Sequence, residues 1–149
     1  MQRQPVDDGE CEAPIDFPIL RGLRVLVVDD DPDTRELFTF VLKEKGAAVS
    51  VAASAQTALV ALQATPFDLL VSDIGLPNVD GFTLLRQVRA LAVEATAQIP
   101  AMAITGFADE QSRLQILAAG FQRTLTKPTD LEQFVAIVAE LAEQKQPDA

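Results

Sequence analysis

One stretch limits more than any other what this chain can fold into: Leu69-Leu70-Val71-Ser72-Asp73, followed at once by Ile74-Gly75-Leu76-Pro77-Asn78-Val79-Asp80-Gly81. An apolar, partly β-branched run that stops at a cluster of turn formers reads as a strand buried on both faces, the kind found in parallel sheets. Four further runs share its character. Leu23-Arg24-Val25-Leu26-Val27-Val28 meets Asp29-Asp30, and Ala47-Ala48-Val49-Ser50-Val51-Ala52 follows Gly46. Ala101-Met102-Ala103-Ile104 meets Thr105-Gly106, and a short run around Thr124-Leu125-Thr126 meets Lys127-Pro128.

Helical patterns lie between and after these runs. The first carries Leu37, Phe38, Val41 and Leu42, with Asp31 placed to cap it, Pro32 in its first turn and Gly46 behind its last. The second starts at Ser54, turns Ala58, Leu59 and Leu62 inward, and stops at Pro66. The third runs from Gly81 to about residue 91 with Phe82, Leu85 and Val88 inward. Residues 92–98 read as a loose connection. The fourth, capped by Asp109 and ended by Gly120, carries Leu114, Ile116 and Leu117. Thr129-Asp130-Leu131-Glu132 has capping-box spacing and opens a fifth helix with Phe134, Val135, Ile137, Val138 and Leu141 on one face. Five strands alternating with five helices predict an α/β domain, a (βα)5 doubly wound parallel five-stranded sheet. No long-period repeat interrupts the pattern.

The chain has 149 residues, 48% of them hydrophobic, and a mean hydropathy of +0.17. That suits one domain with a full core. The expected organisation is a flexible acidic tail over residues 1–21, the domain over 22–143 and a C-terminal tail over 144–149. The apolar end of the first tail, Ile15-Asp16-Phe17-Pro18-Ile19-Leu20, is read as linker in preference to a docking segment. No apolar run approaches a membrane span and the first residues lack a signal-peptide core, so a cytoplasmic protein without membrane contact is expected. With 12 basic and 22 acidic side chains the net charge is −10, the wrong sign for a protein that binds nucleic acid directly. Histidine is absent, which removes Ser/His and Cys/His catalysis and most zinc sites. The single cysteine, Cys11, has no internal disulfide partner and fits a reducing compartment.

In open parallel sheets chemistry gathers outside the carboxyl ends of the strands. The residues at those ends are Asp29, Asp30, Asp73, Thr105 and Lys127. Carboxylates held close resist ionising together, and a divalent cation resolves the conflict. Mg²⁺ fits best, being content with a few carboxylates, retained waters and phosphate oxygens. Its protein ligands are expected to be Asp29, Asp30, Asp73 and the backbone carbonyl of Gly75. The Lys127 ammonium and the Thr105 hydroxyl would contact the other oxygens of a phosphoryl group, and a strand-end carboxylate such as Asp73 can accept that group as a nucleophile. Any one of these residues alone is most simply a turn or cap residue, and Asp31 and Asp80 keep that reading, as N-cap and turn residue.

In order and spacing, Asp29-Asp30 after Val25-Leu26-Val27-Val28, Asp73 with Pro77 and Asp80-Gly81, Thr105-Gly106 and Lys127-Pro128 resemble the receiver domains of two-component response regulators, over roughly residues 22–143. The resemblance implies a flavodoxin-like fold with strand order 2-1-3-4-5. It implies Asp73 as phosphoacceptor, charged by a phosphohistidine on a sensor histidine kinase or a histidine phosphotransfer protein. It also implies that Thr105 follows the phosphoryl group and repacks the face of helix four, strand five and helix five, where a downstream protein or a second copy binds. Such a phosphorelay protein is a signalling module, not an enzyme. Where the family usually has an aromatic residue, three positions before the lysine, this chain has Thr124. No output domain follows the fifth helix, so the expectation is a single-domain regulator or a receiver excised from a hybrid sensor kinase.

Two alternatives use the same residue types. A haloacid-dehalogenase-type phosphatase would use Asp29 as nucleophile and Asp31 as acid/base. Against it, Asp33 stands where Thr or Val is wanted, there is no cap domain and no acidic pair follows Lys127. A binding-only receiver would not need the full acid, Thr and Lys set.

Overall fold

The computed structural model describes residues 20–76, 80–106 and 109–145. Cys11, the segment from Ile15 to Ile19, Pro77 with its turn, and residues 146–149 lie outside the described residues.

Among the described residues the chain forms β1 (Arg24–Val28), α1 (Pro32–Glu44), β2 (Ala48–Ala52), α2 (Ala55–Ala64), β3 (Leu69–Asp73), α3 (Gly81–Arg89), α4 (Glu94–Ala97), β4 (Ala101–Thr105), α5 (Glu110–Ala119), β5 (Arg123–Thr126) and α6 (Leu131–Lys145). The strands pair in parallel in the order β2-β1-β3-β4-β5. The predicted architecture and strand order are both present. The face expected for output, helix four, strand five and helix five, is α5, β5 and α6 in this numbering.

Alternation along each strand splits the core into two layers. Val25, Val27, Leu69, Val71, Met102, Ile104 and Leu125 point to the side covered by α1 and α6, where the Phe38 and Phe134 rings stack with centroids 4.4 Å apart. Leu26, Val28, Leu70, Ala101 and Ala103 point to the side covered by α2, α3 and α5. β3 and β4 are buried at every position, whereas the edge strand β2 shows most of its residues to solvent. Central parallel strands have no wet face, which is why the run ending at Asp73 could be read so directly.

Most helix ends follow the sequence. Asp31 caps α1, accepting from the Asp33 amide at 3.2 Å and the Thr34 hydroxyl at 2.8 Å. Ser54 and Asp109 cap α2 and α5, and Gly120 closes α5 with φ +117°, a left-handed turn that glycine adopts without steric cost. Five expectations need correcting. Asp80 is the N-cap of α3 rather than only a turn residue, its Oδ1 accepting from the Thr83 amide at 2.9 Å. The α6 cap falls on Asp130 instead of Thr129: Asp130 Oδ1 accepts from the amides of Glu132 and Gln133. The connection at 92–98 contains the one-turn helix α4. Leu37, Leu114 and Leu117 are exposed. The reason is position: α1 and α5 lie over opposite edges of the sheet, so one flank of each apolar stripe has no strand beneath it. Last, Leu20 belongs to the core. Its side chain is buried with α1 and α6, and its amide donates to the Lys45 carbonyl at 2.8 Å.

Candidate functional site

Each strand delivers its last residues to one end of the sheet. The amide of Asp29 continues the β1–β2 ladder by donating to Ala52 O at 3.1 Å. Asp73 ends β3 in register with Ile104. Lys127, just past β5, is held by its amide on the Thr105 carbonyl at 2.7 Å. Carboxylate oxygens of Asp29, Asp30 and Asp73 all lie within 4.8 Å of one another. Lys127 Nζ stands 3.1 Å from Asp73 Oδ2. Thr105, 3% exposed, ends β4, the neighbour of both β3 and β5. The acids, the lysine and the strand-end threonine named from the sequence therefore gather at one end of the sheet. Gly75 sits two residues beyond Asp73 and donates its amide to Asp73 Oδ1 at 3.1 Å.

Burial divides the three acids. Asp29 is 2% and Asp73 6% exposed, while Asp30 is open to solvent. Desolvation pushes the Asp29 carboxyl above the usual range. The hydrogen bond from the Asp31 amide to its Oδ1, 2.9 Å, opposes that rise, and the nearby charge of Asp73 adds to it. The other oxygen, Asp29 Oδ2, is buried with no hydrogen-bond partner. An orphaned carboxylate oxygen among two more carboxylates is a strained arrangement without a cation and a fitted one with it. The donor set is all oxygen, which suits a hard divalent ion.

Two contributors carry no signal in the sequence. Arg35, one turn into α1, donates from Nη1 to the Asp29 carbonyl at 2.8 Å. In an amphipathic helix such an arginine reads as a solvated side chain. Gly81 lets α3 start directly beneath Asp73: a Cβ there would lie 2.6 Å from the Asp73 carbonyl oxygen and 2.9 Å from Ile74 Cα. Its place behind Asp80 could have been read as a turn glycine, but not as a close contact.

The phosphatase arrangement is not the one assembled. Lys127 pairs with Asp73, not Asp29, and both oxygens of Asp31 are engaged in capping α1, which lowers its pKa through Thr34 and the Asp33 amide.

Comparison with known proteins agrees with this geometry. The family model described as response regulator receiver domain matches residues 25–139. A 14.6 kDa protein from the sodA1 3′ region of Leptolyngbya boryana is 43% identical over 130 residues, covering 87% of this chain and 98% of its own. The DNA-binding dual master transcriptional regulator RpaA of Synechocystis is 36% identical over 119 residues, and the match spans 79% of this chain but only 48% of that protein. Among solved structures, a putative response regulator from Chloroflexus aurantiacus superposes with a TM-score of 0.76 at 30% identity, over 81% of this chain and 98% of the other. An acidic strand-end cluster on a 2-1-3-4-5 sheet thus coincides with a family match across most of the domain, and this chain belongs to the response regulator receiver domain family.

Proposed function

We propose that the protein is a phosphorelay receiver in which Asp73 takes a phosphoryl group from a phosphohistidine of a sensor histidine kinase or histidine phosphotransfer protein. The observation that carries this reading is the contact of Lys127 Nζ with Asp73 Oδ2 beside the buried Asp29 carboxylate. A carboxylate oxygen of Asp73 attacks phosphorus, the P–N bond to the donor imidazole breaks, and the imidazole nitrogen keeps the bonding pair. The product is an acyl phosphate on Asp73.

The chain's own residues position and neutralise. Lys127 supplies a fixed positive charge where the transferred oxygens arrive, and Thr105 a hydroxyl at the end of the adjacent strand. Asp29, Asp30, Asp73 and the Gly75 carbonyl are the groups that would hold Mg²⁺. When bound, the ion offsets the negative charge gathered between carboxylates and phosphoryl oxygens. Once Asp73 is modified, Thr105 is drawn toward it, and the face of α5, β5 and α6 repacks to favour a downstream protein or a second copy of the chain. This is a two-state switch biased by a covalent ligand. Leu114 and Leu117 already stand exposed on α5 there. Among the described residues no helix is long and apolar enough to cross a membrane, and a cytoplasmic regulator, free-standing or carried within a hybrid kinase, is the setting that fits.

The test is intact mass after incubation with Mg²⁺ and acetyl phosphate, for wild type and Asp73→Asn. The expected outcome is one Mg²⁺-dependent phosphoryl adduct, absent from the variant. A wild type left unmodified both by acetyl phosphate and by a phosphorylated histidine donor would sink the phosphoacceptor assignment.

A further inference from the structure

Arg35 touches none of the acids' carboxylates, yet it acts on the site through one backbone atom. Asp29 is held at three points: its amide on Ala52 O of β2, its carbonyl by Arg35 Nη1 at 2.8 Å, and its Oδ1 by the Asp31 amide at 2.9 Å. Only Oδ2 is left, buried and unpartnered, on a carboxyl group that clusters with those of Asp30 and Asp73. The first hold comes from the neighbouring strand and the last from the turn itself. The Arg35 contact ties Asp29 itself to α1, six residues on, in addition to the cap that Asp31 makes.

From this arrangement we infer that Arg35 is a positioning residue for the cation site: its guanidinium clamps the Asp29 carbonyl so that Oδ2 is presented as a ligand. The inference rests on the proposed Mg²⁺ site and goes beyond it by naming a residue that contacts neither metal nor phosphoryl group. Groups that orient a ligand from behind commonly change metal affinity about 10- to 100-fold when lost.

Charge alone predicts the opposite sign. A positive side chain beside three carboxylates repels a divalent cation, so removing it should tighten binding by simple electrostatics. Loss of the clamp should weaken it. Mg²⁺ titrations followed by the amide NMR shifts of Asp29 and Gly75 separate the two, using the full chain as wild type, Arg35→Met, Arg35→Gln and Arg35→Lys. Lys43→Met, at the far end of α1, controls for net charge. The expected result is Mg²⁺ affinity reduced about 10-fold or more in Arg35→Met and Arg35→Gln. Arg35→Lys, able to donate one hydrogen bond, should fall between them and wild type, and Lys43→Met should match wild type. Equal or tighter binding by both neutral variants overturns the inference. Wild type that binds no Mg²⁺ at all overturns the site reading itself, and the role of Arg35 with it.

Discussion

At the scale of single residues, two glycines near Asp73 have opposite tolerances. Among the described residues a Cβ on Gly75 meets nothing nearer than Asp73 Oδ1 at 4.0 Å, an ordinary contact. A Cβ on Gly81 collides with the Asp73 carbonyl and Ile74 Cα, both backbone atoms that cannot swing aside. Gly81→Ala is therefore expected to cost about 1–3 kcal/mol in urea denaturation, the usual range for overpacking. Gly75→Ala should stay within about 0.5 kcal/mol of wild type, as surface changes do. Equal stability of the two variants would show that α3 can move away from the strand end without penalty. Because the displaced atom is Asp73's own carbonyl, Gly81→Ala should also slow phosphoryl uptake while Gly75→Ala leaves the carboxylate in place.

At the scale of elements, helix ends couple stability to pH. Asp109 caps α5 through the Ser112 hydroxyl at 2.8 Å and the Ser112 amide at 3.0 Å, and these bonds hold its carboxyl below the ordinary value of 3.8. A carboxyl whose pKa is lowered on folding stabilises the native state above the unfolded value, and loses that contribution as pH falls through the native one. Asp109→Ala is expected to unfold at lower urea than wild type at pH 7. The gap should close once pH drops below the ordinary carboxylate range. Parallel urea titrations from neutral to acid pH check this, and a gap independent of pH would mean that the cap stabilises without its charge. The same elements show how far local pattern reaches. Asp31, Ser54, Asp109 and Gly120 do what their neighbours in sequence imply. Asp130 takes the place of Thr129 because both side chains can cap and only the path of the chain leaving β5 chooses between them.

At the scale of the whole molecule, Arg89 joins elements that the sequence keeps far apart. From the end of α3 its guanidinium donates to the carbonyls of Ala97 at 2.9 Å, Ile99 at 2.6 Å and Gly120 at 2.8 Å. It thereby ties α4, the approach to β4 and the end of α5 together at the end of the sheet opposite the acidic site. Burial lowers its pKa from the usual arginine value, but the group stays charged and satisfied by carbonyl dipoles. Arg89→Met keeps much of the packing and strands three acceptors. It should cost about 3 kcal/mol, read as a shift in urea midpoint with an unchanged slope. A shift below about 0.5 kcal/mol would mean that water replaces the guanidinium without loss.

Local period, and most residue types at chain turns, can be read from the amino-acid chain alone. Strands buried on both faces have to be largely continuous apolar runs, so five strands, the parallel class and the residues at their ends are legible in the sequence. Asp29, Asp30, Asp73, Thr105 and Lys127 could be named because each ends a strand, and a parallel sheet brings strand ends to one side. Tertiary structure alone decided what depends on distance across the chain. The exposure of Leu37, Leu114 and Leu117 follows from where the sheet ends, which no helical stripe encodes. Leu20 joined the core because the Lys45 carbonyl was free to take its amide. Arg35 and Arg89 act through carbonyl oxygens, and every residue carries one of those. A side-chain partner leaves a trace in the sequence, and a backbone partner leaves none until the fold brings it within reach.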